Sequence, residues 1–122
     1  MYSKTYYATN PQSMDGASND QLRDHYLFTG LFQTGQVVLN YTHYERIVVG
    51  GVAPGKDPIN LPAQQEPASS AGKSFLERRE LGVVNVGTGA GRVIVDGTSY
   101  DMAVRDGLYV PMGSESVQFE SL

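Results

Sequence analysis

The sequence predicts a mainly β domain, a β-sandwich or barrel with one short N-terminal helix, and three observations predict it. From Leu81 onward, short apolar runs (Leu81–Val86, Arg92–Val95, Thr98–Val104, Leu108–Val110) alternate with turn residues at the spacing of a sandwich or barrel. Two of these runs are separated by Asp96-Gly97, a strong hairpin signal because a type I′ turn needs positive φ at both central positions. The one clear helix signal lies near the start, where Ser18 precedes Gln21 by the three residues of a capping box. A length of 122 residues is one domain's worth of chain.

Taken in order, residues 1–17 are polar, carry Asn10-Pro11 and Asp15-Gly16, and read as a peripheral arm rather than core. The rest, 18–122, reads as the β domain. A helix is expected at about 19–28, with Leu22 and Tyr26 sharing a face at i, i+4 and Gly30 as the stop. Such a helix is too short to persist alone and must dock on something. Leu31-Phe32, a turn at Thr34-Gly35 and Val37–Thr42 suggest a hairpin, with Arg46–Val49 as a further strand. Residues 53–74 hold four of the six prolines and read as a long loop, because proline lacks the ladder donor. A loop of that length in a compact domain is functional or disordered.

Leu81–Val86 looks like a buried strand, Gly87–Gly91 a flexible hairpin turn, and Arg92–Val95 the next strand. Thr98–Val104 alternates, placing Tyr100, Met102 and Val104 on one face. Val83, Val93, Val95, Tyr100 and Val110 are expected to fill the interior, which argues against a polar barrel that holds a small sugar as a regulator would. The sequence stops within an alternating run, Val117–Leu122, as a fragment of a longer architecture would.

Nine Lys+Arg against thirteen Asp+Glu give a net charge of -4, so nucleic acid is not expected as a partner. With no Cys there are no disulfides, thiolate metal sites or cysteine nucleophiles. The two imidazoles, His25 and His43, stand 18 positions apart with no HxH or HExxH spacing, so no metal site is expected within this chain. Nothing resembles a signal peptide or a membrane span, and a cytoplasmic protein is the reading. Asn40-Tyr41-Thr42 fits a glycosylation sequon but sits in an expected strand.

Four segments invite chemistry. Gly87-x-Gly89-x-Gly91 follows a strand, but a strand rather than a helix comes next, so it lacks the context of a phosphate cradle. Gly107-Leu-Tyr-Val-Pro111-Met-Gly113 resembles the Gly-x-x-x-Pro-x-Gly element of cupins, with Ser116 where the metal-ligating His would stand. Ser74–Gly87 occupies the place of the other cupin motif, with Ser74 and Leu76 at the paired imidazole positions and Leu81 near the carboxylate. The resemblance therefore implies a cupin-like jelly roll whose ligands are gone. Within it, Glu77-Arg78-Arg79-Glu80 reads as an ion-pair network, or alternatively as an anion clamp with the two Arg on opposite faces of a strand. His43-Tyr44-Glu45-Arg46 reads as a polar hairpin end, with a His beside a carboxylate for proton transfer as the alternative.

Taken together, Glu45–Gly51, Phe75–Val86, Val95-Asp-Gly97 and Arg105–Val110 resemble the 5-keto-4-deoxyuronate isomerase family, most specifically through FLERRELGVVNVG. The resemblance covers most of residues 19–120 and implies the N-terminal of two cupin-like halves. It implies a cytoplasmic ketol-isomerase of pectin and polyuronate breakdown, a small anionic deoxy-keto-uronate as substrate, and a homo-oligomer, a hexamer in the family. It also implies zinc held by three His and one Glu of the C-terminal half, with no ligand here. On that footing Arg46, Arg78 and Arg79, with Glu77 and His43, are the expected substrate-binding residues. The alternative is a metal-free scaffold or oligomerisation module with no catalysis of its own.

Overall fold

The computed structural model describes residues 1–122 and is mainly β, as expected: nine strands and one α-helix. One sheet has the order β1-β2-β3, from Lys4–Tyr6, Gln36–Thr42 and Ile47–Ala53. A second has the order β4-β9-β6-β7, from Ile59–Asn60, Val117–Ser121, Gly91–Val95 and Thr98–Met102. A two-stranded ribbon joins β5, Leu81–Val84, to β8, Gly107–Val110. The core lies between them: Leu39 from the first sheet meets Val93, Met102, Val117 and Phe119 from the second, with Val110 from the ribbon and Phe75 and Leu76 from the segment before it. This β-sandwich agrees with a cupin-like fold.

The α-helix, α1, runs Asn19–Tyr26 and starts on the expected capping box: Ser18 Oγ accepts the Gln21 N–H, and the Gln21 side chain accepts the Ser18 N–H at 2.9 Å. It ends before Gly30, because Leu27 already adopts extended backbone. It docks through Lys4 Nζ to Asp24 Oδ1 at 2.6 Å, Tyr6 OH to the Leu27 carbonyl at 2.8 Å, and the Tyr26 ring, 5.7 Å from that of Tyr44.

Several expectations give way to longer-range pairing. The stretch read as a peripheral arm contains β1, which pairs in parallel with β2 and buries Tyr6. Leu31-Phe32 forms no strand; β2 makes its hairpin with β3 instead, closing through the turn at 43–46, where Arg46 adopts φ 54°. The Leu31 backbone crosses β3 at Gly51, where any Cβ would run into the Leu31 carbonyl. Inside the proline-rich segment, Ile59–Asn60 pairs with β9, and Gln64 is buried with its Nε2 donating to the Ser74 carbonyl at 2.8 Å. Gly87–Gly91 is a passage from the ribbon to the second sheet and not a hairpin turn, since β5 pairs with β8.

Asp96-Gly97 is the expected hairpin, with φ of 47° and 84° joining β6 to β7. Tyr100, expected inside, is 42% exposed because β7 is the edge of its sheet; of its alternating residues only Met102 reaches the core. Val104 falls beyond β7 and is exposed, and Val84 and Val86 are exposed, so Leu81–Val86 is not a buried strand. The sequon Asn40 is buried in β2 at 3% exposure, where a glycosyl group has no room.

Candidate functional site

The fold brings the two cupin-like elements to one place. A cleft of about 290 Å³ is lined by residues 61–63, Gly72, Ser74–Leu76 and Ser114–Val117, so Ser74, Leu76 and Ser116 all border it. The elements are tied by the Gly113 N–H, which donates to the Leu76 carbonyl at 2.8 Å. The side chains do not gather as ligands. Leu76 is 1% exposed and belongs to the core, Ser116 Oγ donates to Asp96 Oδ1 at 3.2 Å, and Leu81 packs on the core rather than lining the cleft.

What remains in the cleft is hydroxyls and a single carboxylate, Glu115. Zinc asks for imidazole, thiolate or several carboxylates in tetrahedral array. No group of three His, Cys, Asp or Glu in the chain could hold a metal ion. The donors of this cleft therefore do not make a tetrahedral zinc site of their own.

Glu77-Arg78-Arg79-Glu80 lies in a bend and irregular chain, not on a strand, so its Arg pair does not alternate across a sheet. Nor do the four pair with one another. Glu77 takes Lys73 at 3.4 Å; Arg79 lies 5.0 Å over the Phe75 ring, with Nη1 3.4 Å from Gln64 Oε1. Glu80 accepts from Tyr109 OH at 2.7 Å, a bond that pushes the Tyr109 phenol above its ordinary range. Arg78 is exposed and makes no ion pair or side-chain hydrogen bond.

The other candidate residues lie apart from this cleft, in the β2–β3 turn. His43 is exposed and occupied by aromatic rings: Tyr7 stacks on it at 4.9 Å and Tyr41 meets it edge-on at 4.9 Å. It makes no bond to Glu45, and Arg46 points from a strained turn position with no partner. His25 lies elsewhere, bordering a second cleft.

That second cleft, about 210 Å³, was not legible as a site. Its walls are Tyr6, His25, Tyr26, Phe28, Thr42, Tyr44, Glu45, Ile47 and Val49, from β1, α1 and the chain just after it, and the β2–β3 hairpin. Tyr26 and Tyr44 hydroxyls meet Thr9 Oγ1 at 2.5 and 2.8 Å. Burial pushes the Tyr44 phenol up, but its bonds with Thr9 and Tyr26 outweigh this and leave it below its ordinary range. The only sequence signal was the clustering of Tyr around the helix end and the β2–β3 turn.

No family-level sequence profile matches the chain. Individual proteins do. A 4-deoxy-L-threo-5-hexosulose-uronate ketol-isomerase of Levilactobacillus brevis is 41% identical over 117 residues, 96% of this chain and 40% of that protein. The protein of the same name from Formosa agariphila is 43% identical over 115 residues, 94% of this chain and 40% of its own length. That of Oceanobacillus iheyensis is 35% identical over 116 residues, 95% of this chain and 41% of its length. The chain thus spans about 40% of the length of the curated relatives it matches.

Proposed function

We propose that this chain, homologous over nearly its whole length to part of the 4-deoxy-L-threo-5-hexosulose-uronate ketol-isomerases, is the N-terminal, ligand-free half of such an enzyme. The whole enzyme interconverts 4-deoxy-L-threo-5-hexosulose uronate and 3-deoxy-D-glycero-2,5-hexodiulosonate in polyuronate breakdown. One observation carries the division of labour. The two motif elements converge on one cleft, yet present Ser74, Leu76 and Ser116 where ligands would stand.

Moving a hydrogen between adjacent carbons through an enediol needs a base at carbon and an acid or electrophile at oxygen. The cleft offers Glu115 alone, so the rest of the enzyme supplies the reacting groups, zinc ligands included. This half supplies a frame and a cation for the uronate carboxylate. Arg78 is the choice for that cation, because Arg79 is engaged with Phe75 and Gln64 and Arg46 lies at the far turn. A free guanidinium can grip a carboxylate through two parallel bonds.

The test is Arg78→Ala in an active assembly of this chain with the rest of a relative. Losing a charge-assisted contact made equally to substrate and transition state raises KM about ten- to hundredfold with kcat held. An unchanged KM overturns the assignment of Arg78. A second reading, a scaffold or oligomer-forming module without catalysis, is favoured by the outer face of the ribbon, where Val84 and Tyr109 are 62% and 63% exposed.

A further inference from the structure

We infer that the second cleft is a binding site for a small organic cation, an alkylated ammonium head group, separate from any uronate site. Four aromatic side chains, Tyr6, Tyr26, Phe28 and Tyr44, border it. Their polar handles are already committed inside the protein: Tyr6 OH donates to the Leu27 carbonyl, and the Tyr26 and Tyr44 hydroxyls are bound to Thr9. What such rings offer a visitor is therefore their faces and edges, and the negative face of an aromatic ring attracts cations.

The charge agrees. Glu45 is the only carboxylate bordering the cleft, and it makes no ion pair or hydrogen bond within the protein. No Lys or Arg borders it; the one nitrogen base in the lining is the His25 imidazole. A wall ring already holds a cation of the protein's own, since Lys4 Nζ lies 4.5 Å from the Tyr6 centroid. That charge is neutralised by Asp24 Oδ1 at 2.6 Å, so it does not repel a second cation. The Glu45 carboxylate makes the cleft hostile to a uronate. A methylated ammonium suits the lining better than a bare ion, because its methyl groups give up little hydration against apolar walls such as Ile47 and Val49.

The experiment is an amide chemical-shift titration of the 122-residue chain with choline chloride, at constant ionic strength, beside its neutral isostere 3,3-dimethyl-1-butanol. Choline is expected to shift the amides of residues 25–28 and 42–47 saturably, and the isostere is not. Glu45→Gln, in an exposed turn, is expected to weaken choline about five- to tenfold. Tyr26→Phe keeps the affinity and Tyr26→Leu lowers it, which separates the ring from its hydroxyl. Equal shifts with the isostere, an unchanged choline titration in Glu45→Gln, or no shifts around the cleft each overturn the inference.

Discussion

The Asp96 carboxylate accepts the Ser116 N–H at 2.7 Å, while the Ser116 carbonyl accepts the Asp96 N–H at 3.1 Å. The same carboxylate oxygen takes the Glu115 N–H at 3.0 Å and Ser116 Oγ at 3.2 Å. One residue of the β6–β7 hairpin thus fastens the segment that borders the first cleft. The Ser116 N–H does most to hold the Asp96 carboxyl below its ordinary range, with Glu115 and the Ser116 hydroxyl adding to it against the opposing effect of burial.

A carboxyl lowered in the folded state stabilises the fold above its unfolded value of about 3.9, and that contribution fades as pH falls through the lower folded value. Asp96→Asn keeps the turn, because Asn tolerates the positive φ, but removes the charge. Urea midpoints are expected to differ between the two proteins at pH 7 and to converge below about pH 4. A gap that stays constant down to pH 2.5 contradicts this role.

Leu76 is 1% exposed at the meeting of both sheets. Leu76→Ala is expected to cost about 2–5 kcal/mol through lost transfer energy and a residual cavity. Denaturant unfolding with an unchanged m-value reads it directly. A loss under about 1 kcal/mol means that the cleft side collapses to fill the gap.

Gly51 lies beneath the Leu31 backbone, which cannot swing aside as a side-chain tip would. Gly51→Ala is expected to destabilise by roughly 1–3 kcal/mol, as overpacking does. Gly82→Ala is the control, since nothing lies within 4 Å of its added Cβ, and a change within about 0.5 kcal/mol is expected. Similar costs at both positions contradict the close crossing.

Ser18→Ala removes half of the capping box at the start of α1. About 1 kcal/mol is expected to be lost, with a parallel fall in helical circular dichroism. Loss of stability without loss of helix signal contradicts a capping role.

Local chemistry was legible and distant pairing was not. Ser18 with Gln21, and Asp96 with Gly97, act within four residues and stand as read. Gly87–Gly91 carries the composition of a hairpin turn, but no residue in it says that β5 pairs with β8, more than twenty positions on. Parallel pairing of the three-residue β1 is equally silent, so Tyr6 looked peripheral. Phe75 and Leu76 are both buried, which no strand alternation gives; the segment turns, and that also dissolves the Glu77–Glu80 network. The positions of the first cleft were legible through motif resemblance alone, whereas the second needed α1 and the β2–β3 hairpin to come together.

The central claim is that this chain holds the frame of a uronate ketol-isomerase while the reacting groups lie in the rest of the enzyme. The most direct measurement is conversion of 4-deoxy-L-threo-5-hexosulose uronate with zinc present, by the 122-residue chain alone and then mixed with the separately produced remainder of a relative. No turnover alone, with turnover on mixing above that of the remainder by itself, is the expected result. Turnover by the chain alone contradicts the account and places the chemistry among its own His25, His43 and carboxylates.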